Sequence, residues 1–289
     1  MINKGYITSN LIGRNKSAEV FYREAITNEI QRFISKILEE IQEEYKVIKP
    51  KETIQSENSI SGITLLLRKV KNSYLDIFTG NSEKIIVKFL NIATRKAKRS
   101  VKSNLERDIG KAIAVRPNYK AFNDALKLMI QQNVSLIKNV AEQNISNIEN
   151  IVFDGMKSGL EFNNIEKQLD SQKIVAKKRI RRIAYDQTAK ANASINYLEQ
   201  QSAGIEYFEW HTIEDERTST GFGGHKQLDG NIYKWNDENS RHPVIDGKGN
   251  RGLPSQRVNC RCWAKAVIIF QGYRAVWDSS AESYKIVKE

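Results

Sequence analysis

The sequence predicts an α+β protein, with a predominantly helical N-terminal body and a small C-terminal α+β module. Two observations predict it. Only four prolines interrupt 289 residues, and long stretches repeat apolar residues every three or four positions, the period of one helix face. At Gly204 the composition then changes. Nine of the sixteen glycines, all three histidines, both cysteines and all four tryptophans lie from there onward.

A first helix is expected over residues 17–46, where Tyr22, Ile26, Ile30, Phe33, Ile37, Ile41 and Tyr45 form one apolar stripe. Ser17 reads as its N-cap and Pro50 closes the segment. Residues 51–62 are polar and contain Gly62, so they read as a linker. A second helix is expected over 63–79, stopping at Gly80-Asn81, and a third over 82–110. The fourth, over 119–154, has the best period, with Ile130, Val134, Ile137, Ala141, Ile145, Ile148 and Val152 on one face behind Pro117. Gly155-Met-Lys-Ser-Gly159 breaks that pattern. A short helix is expected over 161–170 and a long one over 173–203, ending at Gly204.

Beyond Gly204, residues 205–212 and 231–235 read as short aromatic strands and 260–270 as a longer one, with Asp229-Gly230 as a turn signal. The expected domains are a helical body over 1–150, a module with its connecting helices over 151–270, and a C-terminal tail over 271–289.

Composition narrows the function classes. No run approaches the roughly 20 apolar residues that cross a bilayer, and Met1-Ile-Asn-Lys-Gly5 lacks the layout of a secretory signal. A membrane or secreted protein is therefore not expected. Cys260 and Cys262, two residues apart, make no disulfide framework and suit a reducing cytosol. The net charge of +12 is uneven: residues 1–205 hold 34 basic against 22 acidic residues, while 206–289 hold 12 of each. Such a split points to a polyanion or an acidic protein surface as partner for the helical part, or to a lysine-rich composition with no partner behind it.

The module gathers His211, Asp215, Glu216, Arg217, His225, His242, Cys260 and Cys262. A zinc site needs about four N, S or O ligands. Cys260 and Cys262, read as lying on one strand face, with His225 as third, are the best candidates. No Cys-x-x-Cys and no His-x-x-x-His is present, so no metal and no cofactor is expected, with the cysteines as small buried side chains. His211 with Asp215 or Glu216 could form an acid/base pair. No nucleophile elbow, phosphate-cradling loop or His-Glu-x-x-His exists, however, and Gly221-Phe-Gly-Gly224 reads as a flexible loop. No enzyme is expected.

Glu209-Trp210-His211-Thr212, Asp215-Glu216-Arg217-Thr218, His225, Leu228-Asp229-Gly230 and Asn259-Cys260-Arg261-Cys262 follow one another in order. That succession resembles the Mu F-like head morphogenesis family of tailed phages, the minor head or minor capsid proteins, over roughly residues 150–270. The resemblance implies a low-copy protein attached at or near the portal inside the immature head. Roles in head assembly and in genome packaging or delivery follow from it, with no established catalytic activity. It also marks Trp210, Asp215, Arg217, His225, Asp229, Gly230, Asn259, Cys260, Arg261 and Cys262 as the structural motif.

Two departures from the family pattern matter. Many members carry Cys-x-x-Cys after the Asp-Glu-Arg motif and a histidine shortly before Asn-Cys-Arg-Cys, a pattern that looks like a zinc site. Here His225 stands where the second cysteine would be and Arg257 takes the histidine's place. That suits a metal-free branch in which Asp215, Arg217, His225 and Asn259 fix the loops by hydrogen bonds. Relatives also often show Arg and Glu where Tyr185 and Gln187 stand. Arg217 and Arg261 read as bridges between the two halves of the module, because a guanidinium can bond two acceptors at once.

Two basic stripes complete the reading: Arg95, Arg99 and Lys102 on one helix face, and Lys178, Arg181 and Arg182 on another. They can track a phosphate backbone but carry no base-reading pattern, and they can equally be solvated faces. The expected protein is a phage minor head protein in the head interior, and in the host cytoplasm during assembly. Its partners would be the portal and other head proteins, with weak non-specific DNA contact and no membrane. The alternatives are a metal-dependent nuclease or toxin module and a generic nucleic-acid-binding protein.

Overall fold

The computed structural model describes residues 5–10, 15–48, 57–109, 118–158, 160, 162–213, 216 and 218–289. In chain order they form β1 (Tyr6–Thr8), α1 (Lys16–Ile48), α2 (Glu57–Ile109), α3 (Tyr119–Lys157), α4 (Phe162–Ser202) and β2 (Tyr207–His211). A short 3₁₀ helix (His225–Leu228) follows, then β3 (Ile232–Lys234), β4 (Trp263–Ile269), β5 (Tyr273–Asp278) and β6 (Ser283–Lys288). The α+β class is as expected: four long helices, then a six-stranded antiparallel sheet in the order β1-β4-β2-β3-β6-β5. No helix among the described residues is long and apolar enough to cross a membrane.

The chain divides into two compact units, neither contiguous in sequence. One comprises Ser17–Leu90 and Leu128–Ala184, and its elements among the described residues are all helices. Its core is the stripe read from the sequence: Tyr22, Ile26, Ile30, Phe33, Ile37 and Ile41 of α1 are buried. Each contributes roughly 1.5–3 kcal/mol by leaving water. Tyr22 stacks on Phe89 at 4.4 Å between ring centroids and donates its hydroxyl to Asn133 Oδ1 at 2.8 Å. Helix α1 begins at Lys16, within one residue of the Ser17 read as its cap.

Two predicted breaks are absent. Helix α2 runs straight through Gly80-Asn81, and residues 57–62 of the expected linker belong to it; residues 51–56 lie outside the described part. A glycine stop needs the left-handed conformation, and Gly80 does not adopt it. A helical glycine costs about 1 kcal/mol relative to alanine. Burial of Phe78 on one side and of Ile86 and Phe89 on the other outweighs that cost. Asn81 donates instead to Glu29 Oε1 at 2.7 Å. Likewise α4 is continuous across 171–172, because Leu169, Ala176 and Ile180 keep one buried face and Gln172 accepts from Asn147 at 3.0 Å. The break after α3 is real. A Cβ on Gly155 would lie 2.6 Å from Ile165 Cγ1, so this glycine permits the close approach of the two helices.

The other unit comprises Met1–Lys16, Asn91–Lys127 and Tyr185–Glu289 and contains the sheet. Strand β1, in the part expected as a predominantly helical body, pairs along β4 from Tyr6↔Ile269 to Thr8↔Val267. The stretch expected as a tail is the β5–β6 hairpin, paired from Tyr273↔Lys288 to Asp278↔Ser283 and joined to β3 at Ile232↔Tyr284. Tyr284, Ile232 and Val267 bury one patch of the sheet. Helix ends follow sequence chemistry here. Asn118 Oδ1 accepts the Ala121 N–H at 3.0 Å as an N-cap of α3. Gly204, at φ +73°, closes α4 with the Ile205 N–H reaching back to Gln200 O at 2.9 Å.

Candidate functional site

Strand β2 is the scaffold of the site. It lies between β3 and β4, with Phe208 opposite Tyr233 and Ala266, so its alternate side chains Phe208 and Trp210 are fully buried. Phe208, Trp210, Tyr233, Trp235, Ile245, Cys260 and Cys262 form one core beneath it. The C-terminal part of α4 covers this core with a row of amides: Asn196 Nδ2 donates to Ala264 O at 2.7 Å, and Gln200 Oε1 accepts the Trp235 indole N–H at 2.9 Å.

The Asp229-Gly230 turn clamps the end of β2. Asp229 Oδ1 accepts the Thr212 N–H at 2.6 Å and its hydroxyl at 3.1 Å, and Gly230, at φ +77°, donates to Trp210 O at 2.8 Å. His211 Nδ1 lies 3.4 Å from that same Asp229 oxygen. Of the carboxylates near His211, the described residues thus place beside it a turn carboxylate that two other donors already occupy. Asp215 and Arg217 lie outside the described residues.

The loop 219–225 is closely packed at Gly223 and Gly224, against the expectation of a flexible Gly221-Phe-Gly-Gly224, while residues 219–222 are exposed. A Cβ on Gly223 would fall 2.2 Å from Asp246 O, and one on Gly224 would fall 2.5 Å from the Thr220 carbonyl carbon. This packing delivers His225, whose backbone N–H donates to Ser219 Oγ at 3.1 Å. The ring Nε2 lies 3.0 Å from Ile245 O. A carbonyl only accepts, so Nε2 carries the hydrogen and Nδ1 presents its lone pair. Nδ1 faces Cys262 Sγ at 3.3 Å and Cys260 Sγ at 3.5 Å. Arg257 donates to the same Ile245 carbonyl at 3.1 Å, behind the imidazole.

Both cysteines are buried, as expected, but they precede β4 and do not lie on it. A loop with two left-handed non-glycine residues, Ser255 (φ +63°) and Asn259 (φ +61°), brings them together. Ser255 donates its N–H to Cys260 Sγ at 3.3 Å and its hydroxyl to Cys262 O at 2.9 Å. Asn259 is anchored from α4, its N–H donating to Asp186 Oδ1 at 2.6 Å. The hydrogen bond from Cys262 pulls the Cys260 thiol well below its ordinary value; burial opposes this and His225 adds to it. Cys262, as that donor and by its burial, is pushed up, and His225 is raised by its bond with Cys260. A cleft of about 440 Å³ opens over the three side chains, lined also by Ile213, Thr218, Ser219 and the loop from Arg257 to Arg261.

The structure therefore brings Trp210, His225, Cys260 and Cys262 into one cluster, with Asp229 and Gly230 at its flank and Asn259 and Arg261 along the cleft. The basic stripes are elsewhere. Arg95, Arg99 and Lys102 are exposed on α2, Lys102 lying 3.7 Å from Glu106, and Lys178, Arg181 and Arg182 are exposed on α4. Sequence reasoning missed Asp186, Ser255 and the amide row of α4. The row had a signal: Thr188, Asn192, Asn196 and Gln200 recur every four residues and all are buried.

Residues 146–265, which span α4 and this site, match the family described as Phage Mu protein F like protein. A protein of Haemophilus influenzae described as uncharacterised is 25% identical over 185 residues, which are 64% of this chain and 39% of the relative. The chain thus spans well under half of that relative's length. No solved structure matches at a significant level.

Proposed function

Residues 146–265 of this chain belong to the Phage Mu protein F like family, and on that premise we propose that the protein is a minor head protein that acts in phage head assembly. The observation that carries the reading is the coincidence of the family region with the built module: Trp210, Cys260 and Cys262 of the ordered motifs share one buried core, and His225 packs against Trp210. On this reading the module is a self-contained clip. The exposed helical faces, which carry the excess positive charge, meet an acidic surface of the portal or of another head protein.

The proposal assigns the protein no catalytic step. Its work in packaging or delivering the genome is positional, with weak contact to passing DNA through the stripes at 95–102 and 178–182. The test is genetic. Disruption of the gene in the phage or prophage that encodes it should lower the yield of infectious, DNA-filled heads, and the intact gene supplied in trans should restore it. Unchanged yield and infectivity would overturn the proposal. Plasmid cleavage by the purified chain, lost with His225→Ala, would replace it with the nuclease reading.

A further inference from the structure

Three soft ligand atoms converge in the module. His225 Nδ1 lies 3.3 Å from Cys262 Sγ and 3.5 Å from Cys260 Sγ, and all three atoms fall within 4.8 Å of one another. Tetrahedral zinc, with Zn–S of about 2.3 Å and Zn–N of about 2.0–2.1 Å, sets N···S separations of about 3.6 Å. The observed separations are close to that edge length. We infer that His225, Cys260 and Cys262 form a zinc site of the Cys₂His type, with its fourth coordination position opening to the cleft over Thr218, Ser219 and Asn259.

The surroundings match a ligand set better than a chance meeting of buried side chains. The Ile245 carbonyl fixes the Nε2–H tautomer, which leaves Nδ1 bare toward the sulfurs, as a metal-binding imidazole requires. Ser255 N–H points at Cys260 Sγ, a donor placed for a thiolate. The buried Trp210 ring lies 5.5 Å edge-on from the His225 ring. Two thiolates and one divalent ion sum to zero charge, which suits so buried a place. Binding releases the thiol protons to solvent. Mechanically, the ion would staple the 3₁₀ helix of His225 to the 253–262 loop, which holds its shape through two left-handed residues and no strand pairing of its own. The expectation of a metal-free module rested on missing sequence spacings, and ligands drawn from separate loops leave no such spacing to find.

Metal content tests this independently of any role in the head. The full chain, purified untagged from zinc-supplemented cells, should hold about one zinc per chain after dialysis, and His225→Ala and Cys262→Ser should lose it. A variant that fails to fold would lose zinc as well, so the wild-type chain is also stripped by chelator and titrated with Co²⁺ under reducing conditions. Thiolate-to-cobalt charge-transfer absorption that saturates near one equivalent supports the site. Zinc absent from the purified chain, with no such absorption on titration, overturns it. A Cys260–Cys262 disulfide persisting under the same reducing conditions overturns it too.

Discussion

The backbone N–H of Asn259 donates to the carboxylate of Asp186 at 2.6 Å, so a side chain of α4 holds the loop that carries both cysteines. Asp186 also lies 2.8 Å from Lys190 one turn on, and Asn259 sits in the left-handed region at φ +61°. Hydrogen bonds to charged groups contribute about 1.5–3 kcal/mol. Asp186→Ala is expected to destabilise the protein by about that amount and to raise the reactivity of Cys260 toward a thiol reagent. A denaturant midpoint unchanged from wild type would show that the anchor is idle.

Gly223 and Gly249 separate crowding from backbone strain. Both have positive φ, but a Cβ on Gly223 would strike the Asp246 carbonyl at 2.2 Å, while one on Gly249 meets nothing within 4 Å. Alanine in the left-handed region costs roughly 1–2 kcal/mol. Gly249→Ala should cost about that much, and Gly223→Ala distinctly more. Equal thermal midpoints for the two variants would contradict the close approach of Gly223 to the Asp246 carbonyl.

Alkaline pH should unfold the protein through its buried tyrosines. Burial raises the Tyr233 phenol to about 12 and pushes Tyr22 well above its ordinary value. Above a pH of about 10 the unfolded chain holds fewer protons than the native one, so stability falls as pH rises. The loss begins near pH 10 and continues through the folded Tyr233 value of about 12. The tyrosinate absorbance contributed by Tyr22 and Tyr233 should therefore appear together with loss of helical circular dichroism. Stepwise ionisation of all tyrosines with the helices intact would contradict it.

The basic stripe on α4 should give weak, salt-dependent DNA binding. Non-specific phosphate contact gives dissociation constants of about 10⁻⁴–10⁻⁶ M at physiological salt. Replacing Lys178, Arg181 and Arg182 with glutamine should flatten the salt slope and leave the helix formed, since glutamine propagates helices nearly as well as lysine. Binding to random duplexes, measured from low to physiological salt, checks this. No affinity at low salt would assign the charge to an acidic protein surface, and tight sequence-selective binding would favour the generic nucleic-acid-binding reading.

The helices were legible because one physical rule writes them: an apolar side chain every three or four residues buries one face. The same rule explains the failures at Gly80-Asn81 and at 171–172, where local break signals lost to a stripe continuing on both sides. Strands β2, β3 and β4 announced themselves through aromatic and β-branched runs. The three residues of β1 and the hairpin after residue 270 did not, because their pairing partners are remote or follow a segment read as ended. The motif residues were visible as a succession of types, yet their convergence was not. His225 meets Cys260 and Cys262 across more than thirty residues that include β3 and the loops after it, and Asp186 reaches Asn259 from another element altogether.

The proposed place of this chain in a phage head is decided by quantitative mass spectrometry of purified immature heads and mature particles. Peptides of this protein are expected in the head fraction, at a copy number far below that of the major capsid protein. A chain abundant in the infected-cell lysate but absent from both kinds of particle would contradict it.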